Sequence, residues 1–184
     1  MGQMITLPLS QKLQSFNSVA AGQTASLRLE IGYTYKTIYV VYAGITLAQM
    51  TAIRLKANGN TIRDFPSGAD LDKMNQFDTM AAANGILAIP LERFRMSTRV
   101  EREYTAIGTG MPYDPNPTVA GGARNVNYNP VVISTLQLEI DIDAAASAPV
   151  LSAYTERDQP SPTGRILKLE RYNIDVTAVG DRQI

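Results

Sequence analysis

Hydrophobic and polar residues alternate most cleanly between Val131 and Ala153. Leu136, Leu138, Ile140 and Ile142 fall on one face of an extended chain, and Thr135, Gln137, Glu139, Asp141 and Asp143 on the other. A period of two held this long predicts a strand with one face buried and the other wet or paired. The small-residue run from Ala144 to Pro149 then predicts a corner, and Val150 to Thr155 a second strand. Such a unit folds a sheet over or hands the chain to a second sheet.

The upstream chain reads as strands that pack against this one. Thr24 to Ile31 alternates, with Ala25, Leu27, Leu29 and Ile31 inward, and Gly32 breaks it. Tyr35 to Tyr42 is apolar on both faces, as a central strand would be. Thr46 and Gln49 have the spacing of a capping box around one helical turn, Leu47 to Met50. Ala52 to Ala57 and Thr61 to Phe65 flank Asn58-Gly59, a hairpin turn whose two residues both tolerate positive φ. Pro66-Ser67-Gly68 opens a short helix, with Leu71, Met74 and Phe77 or Met80 expected inward and Asp70 and Asp72 in its first turn. Ile86 to Leu91 is a short strand that lies at a sheet edge or ends at Pro90, because Pro90 removes a ladder donor. Thr98 and Glu101 cap a further helix, Arg99 to Ile107, closed by Gly108.

Thr109 to Pro130 holds four Pro and three Gly and predicts a long functional or partner-bound loop. Gln159 to Gly164 reads as a linker, followed by two extended runs, Arg165 to Arg171 and Asn173 to Val179. The organisation is an N-terminal arm over 1–18, a jelly-roll domain over 19–158, and a linker with a terminal strand segment over 159–184. Helices do not alternate with strands, which disfavours parallel α/β. The fold class is all-β: an eight-stranded antiparallel jelly-roll β-sandwich with two or three short helices in its loops.

Composition narrows the chemistry. The 184 residues contain no Cys and no His, which removes thiol nucleophiles, Ser-His-Asp and Cys-His arrangements, and the usual zinc sites. Basic and acidic residues balance at 17 each, so no global field draws in nucleic acid or an anionic membrane. No apolar run approaches the ~20 residues that span a bilayer, and the first 18 residues lack the pattern of a signal peptide. Nine Tyr in a chain only 18% charged point to a surface covered by something else.

Glu139, Asp141 and Asp143 stand on one strand face at a spacing of about 7 Å, close enough for two to share a hard cation such as calcium. They read first as a solvated or subunit-facing stripe; a calcium site and the paired carboxylates of a glycosidase are the competing readings. Arg93, Arg95, Arg99, Arg102, Lys168 and Arg171 are basic, but Glu92, Glu101 and Glu103 are interleaved, which describes a salt-bridged surface. No catalytic, cofactor-binding or metal-binding constellation emerges.

Several segments resemble a known family. Val19-Ala20-Ala21-Gly22, Ile31 to Tyr35, Tyr42-Ala43-Gly44-Ile45-Thr46, Ala106-Ile107-Gly108-Thr109 and above all Asp141 to Ala153 match the major capsid proteins of corticovirus-type tailless, membrane-containing bacteriophages. The resemblance covers roughly residues 16–156. It implies a double jelly roll, with three subunits forming a pseudo-hexagonal capsomer of an icosahedral shell over an internal membrane. It implies no enzymatic activity. The partners would be copies of the chain, a penton protein and the inner virion membrane or its proteins, with no specific nucleic acid. The place would be the virion capsid, assembled in the bacterial cytoplasm. Calcium at subunit contacts is a further implication, with no ligand assigned here.

Met111 to Pro130 has the character of an insertion, and after Thr155 only 29 residues remain, too few for a second jelly roll. The chain therefore reads either as the N-terminal half of a longer protein or as a single-jelly-roll relative, the first being favoured. A carbohydrate-binding or adhesive jelly-roll module is the alternative, motivated by the nine Tyr and the acidic strand face.

Overall fold

The structure is a computed structural model that describes residues 9–92, 98, 105–110, 133–159 and 168–169. In chain order the strands are β1 (Leu9–Lys12), β2 (Thr24–Leu29), β3 (Thr34–Ala43), β4 (Met50–Ala57), β5 (Asn60–Phe65), β6 (Ile86–Pro90), β7 (Ile107–Gly108), β8 (Leu136–Ile142) and β9 (Val150–Asp158). Among the described residues one 3₁₀ turn, Leu47–Gln49, and one α-helix, α1 (Gly68–Phe77), interrupt them.

Two antiparallel sheets face each other. Sheet 1 runs β1-β9-β3-β6, with β7 also paired to β3, and sheet 2 runs β2-β8-β4-β5. Among the described residues these eight strands, with every successive step but the β4–β5 hairpin changing sheet, make a jelly roll; β7 is a two-residue addition. The core between the sheets is supplied by inward alternation: Ala25, Leu27 and Leu29 from β2, Ile53 and Leu55 from β4, Leu136 to Ile142 from β8, Ile38 and Val40 from β3, Leu87 and Ile89 from β6, and Leu151 and Ala153 from β9. The strand around which the sequence is organised is central in sheet 2. Its Leu138 is opposite Leu27 on one side and Leu55 on the other.

The corner after β8 carries the chain from sheet 2 to sheet 1. Asp143 shapes it, accepting from Ala145 N at 2.7 Å through Oδ1 and from Ala146 N at 3.1 Å through its carbonyl. Gln49 holds it from outside, donating through Nε2 to Ala145 O at 3.2 Å. The capping box around that 3₁₀ turn is complete: Thr46 Oγ1 accepts from Gln49 N and Gln49 Oε1 accepts from Thr46 N at 2.9 Å. The hairpin between β4 and β5 has both turn residues at positive φ, Asn58 at 50° and Gly59 at 80°, as a primed turn requires.

Several sequence expectations need correction. The stretch read as an arm contributes β1, paired with β9 from Leu9↔Arg157 to Lys12↔Tyr154, and Phe16 is buried in the core. Ile31 lies beyond the end of β2 and is exposed. Ile107, read as the end of a helix, is in β7; its neighbour Thr109 accepts from Gly32 N and Tyr33 N through Oγ1 and donates to Tyr33 O at 2.8 Å.

In α1, Leu71 is buried, but Met74 is 43% and Phe77 74% exposed. The buried face is Gly68, Leu71, Asp72 and Asn75. Asp72 accepts from Ala83 N and Gln76 Nε2, both at 2.7 Å, and Asn75 Nδ2 donates to Ala88 O at 2.8 Å. The helix thus spends its inward positions on backbone groups of the loop that follows and of edge strand β6. Residues 99–104 of the predicted helix, the 111–130 loop and most of the 159–184 segment lie outside the described residues. Leu169 is described: it bridges β5 in parallel, donating to Ile62 O at 3.0 Å and accepting from Asp64 N at 3.2 Å.

Candidate functional site: the outer faces of the sandwich

The outer face of sheet 2 carries a charge ladder. Alternation places Gln137, Glu139 and Asp141 of β8 outward, between Thr24, Ser26 and Arg28 of β2 and Arg54 and Lys56 of β4. Arg54 grips Asp141 with both nitrogens, Nη1 to Oδ2 at 2.8 Å and Nη2 to Oδ1 at 2.7 Å, while its Nε lies 3.5 Å from Glu139 Oε2. Lys56 Nζ is 2.8 and 3.0 Å from the two Glu139 oxygens, and Thr24 Oγ1 donates to Asp141 Oδ1 at 2.7 Å. Burial works to raise the Asp141 carboxyl, but the Arg54 guanidinium and the Thr24 hydroxyl outweigh it and hold the group below its ordinary value.

The three carboxylates that the sequence singled out are therefore committed within the chain. Glu139 and Asp141 are saturated by cations, and Asp143 closes its own corner. Among the described residues no group of three or more His, Cys, Asp or Glu is placed to hold a metal ion. The basic residues Arg93, Arg95, Arg99, Arg102 and Arg171 lie outside the described residues.

The depressed carboxyl sets a pH dependence. A folded-state value below the unfolded one stabilises fully above the unfolded pKa and is lost as pH falls through the folded value. Asp141→Asn is expected to cost about 1 kcal/mol at pH 7, a partly exposed pair being worth little more. In urea unfolding, the gap between wild type and variant should shrink as the pH is taken from 7 toward 2. A gap that stays constant would contradict this.

Arg157, missed by sequence reasoning, points inward from β9 and is 3% exposed. Its guanidinium stacks 3.5 Å from the centre of the Tyr33 ring, bonds Glu30 Oε2 at 3.0 Å, and donates to Gln11 Oε1 of β1. Tyr35 beside it donates to Glu30 O at 2.7 Å, and burial pushes its phenol up to about 12. This cluster pins β1 and the β2–β3 connection to sheet 1. The only sequence signal for it was a charged residue on the apolar phase of β9. An adjoining open groove of about 580 Å³, lined by Gln14, Arg28, Leu29, Glu30, Ile31 and Tyr33, has Glu30 as its carboxylate, and that group is bound to Arg157.

The outer face of sheet 1 is different in kind. Val41 of β3 is opposite Ile86 on one side and Ser152 on the other; Tyr39 lies between Ala88 and Tyr154; Val150 lies beside Ala43. Ile86 is 50% and Val150 60% exposed.

A jelly roll with one outer face tied by its own ion pairs and the other carrying an apolar centre is a packing module, a structural domain of the coat-protein type. The chain belongs to the viral coat protein P2 N-terminal domain family, whose model matches residues 10–158. The major capsid protein P2 of Pseudoalteromonas phage PM2 is 27% identical over 150 residues, which cover 79% of this chain and 48% of that protein. The crystal structure of the major capsid protein P2 from bacteriophage PM2 superposes with a TM-score of 0.69 at 25% identity, covering 84% of this chain and 52% of that one. The chain thus spans about half the length of the relatives it matches. The family agrees with the resemblance carried by Asp141 to Ala153.

Proposed function

We propose that this chain is the N-terminal jelly roll of the major capsid protein of a tailless icosahedral bacteriophage. The observation that carries the reading is the match of residues 10–158 to a viral coat domain, on the same fold as a phage capsid protein. The work of such a domain is assembly, so it needs rigid sheets and complementary surfaces rather than a cleft with reactive groups. In this reading the subunit carries a second jelly roll and forms trimeric, pseudo-hexagonal capsomers in the virion shell. It meets a penton protein at the vertices and the inner virion membrane beneath.

Light scattering on the product of the gene that carries this chain tests the reading. Trimers are expected at micromolar concentration, and a monomer at every concentration would contradict it. The rival, a carbohydrate-binding module, predicts binding on a glycan array with or without calcium; the coat reading predicts none.

A further inference from the structure

Strand pairing sets the outward residues of sheet 2 in rows that run across the sheet. One row is Asp64, Arg54, Glu139 and Ser26, where a cation has carboxylates on both sides. The next is Thr61, Lys56, Gln137 and Arg28, and it holds two cations and no carboxylate. Lys56 reaches diagonally to the two oxygens of Glu139, at 2.8 and 3.0 Å, which leaves one of its three N–H donors. The Arg28 guanidinium and the Gln137 amide make no hydrogen bond or ion pair among the described residues. Glu30, two residues beyond Arg28, is bound to Arg157. A groove of about 230 Å³ lies here, lined by Arg28, Lys56, Gly59, Thr135, Leu136 and Gln137. Its end is held in shape by Asn58, whose Oδ1 accepts from Ser134 N at 2.8 Å and Thr135 N at 3.1 Å, and whose N donates to Thr135 O at 2.9 Å.

We propose that this end of sheet 2 binds a phosphate-class oxyanion, taken either as free phosphate or as a phospholipid headgroup. Arg28 offers two oxygens its planar fork, the remaining Lys56 N–H meets a third, and the Gln137 amide donates between them. Donors on three neighbouring strands, ~4.8 Å apart, can close on three oxygens of a tetrahedral anion, where a carboxylate offers two. The groove is several times the ~30 Å³ that a water takes in the liquid, which leaves room for the anion and part of its hydration shell. The chain carries no net charge, so the attraction comes from this row alone and is local. The site stands or falls independently of the coat-protein reading.

NMR titration of the full chain with inorganic phosphate, at an ionic strength held constant with chloride, tests this. Saturable chemical-shift changes at the Gly59, Thr135 and Gln137 amides are expected. Arg28→Gln should weaken binding about 10-fold, the loss of one charge-assisted fork, and Arg28→Lys should weaken it less. Gln137→Glu supplies the row with the carboxylate it lacks, so it should abolish binding while the thermal melt does not fall. Sedimentation with vesicles separates the two sources. Retention on phosphatidylglycerol but not on phosphatidylcholine vesicles, lost in Gln137→Glu, assigns a lipid headgroup; phosphate shifts without retention assign the free ion. Shifts that chloride alone reproduces overturn the proposal. So do shifts or retention that persist in Gln137→Glu, and so does the absence of both.

Discussion

Gly44→Ala is expected to destabilise the domain by roughly 3 kcal/mol or more, which for a chain of this length lowers the melting temperature by about 10 °C. Two effects add. Gly44 sits at φ +66°, where a side chain alone costs roughly 1–2 kcal/mol. A methyl group there would also stand 1.9 Å from the carbonyl oxygen of Ala148 and 2.8 Å from its carbon. That carbonyl belongs to the corner between the sheets, which Asp143 and Gln49 hold through four hydrogen bonds and cannot readily release. The obstruction is backbone, so rotamer changes give no relief. Differential scanning calorimetry reads the effect; a shift under about 3 °C would mean that the corner is softer than its bonding implies.

Leu138→Ala is expected to cost about 3 kcal/mol, within the 2–5 kcal/mol range of buried leucine truncations. Leu138 is fully buried on the central strand of sheet 2 and has leucines opposite it on both neighbouring strands. Ion pairs tie β4 to β8 and the Thr24 hydroxyl ties β2 to Asp141, so the flanking strands cannot readily close over the cavity. Phe77→Ser on α1, a larger deletion on paper, should stay within about 0.5 kcal/mol, because the ring is 74% exposed. Urea titrations of the two variants decide it. A Phe77 effect as large as that of Leu138 would put the helix face where its apolar spacing suggested and not where the structure has it.

That contrast shows where the sequence is legible. Strands with one buried face announce themselves, since every second residue of β8 and β2 must be apolar. Turn chemistry is equally readable: Asn58-Gly59 and the Thr46–Gln49 box have the geometry their residues demand. The jelly-roll class followed from these together with the Ala144 to Pro149 corner.

What escaped has physical causes. β1, Leu-Ser-Gln-Lys, is an edge strand four residues long, held by β9 backbone and by Gln11 on Arg157, so it carries no period to read. The inward face of α1 is half polar because Asp72 and Asn75 serve backbone donors and acceptors, which periodicity counts as outward. β7 depends on Thr109 bonding across to Gly32 and Tyr33, 76 or 77 positions away. The acidic stripe was found from sequence, but its role was not. Arg54 and Lys56 come beside it only through strand pairing 83–87 residues apart, which alternation within β8 cannot reveal.

The apolar outer face of sheet 1 was legible only in part. Ile38 to Val41 read as apolar on both sides, which said that β3 is covered twice but not by what. Sheet pairing supplies the inner cover and leaves Tyr39 and Val41 beside Ile86 and Tyr154 on the outside.

Electron microscopy of sedimented material from cells expressing the gene that carries this chain is the most direct test of the capsid assignment. Closed shells tiled by hexagonal capsomers with threefold symmetry are the predicted result. A soluble, monodisperse monomer that sediments with no particle and binds a sugar instead would contradict it.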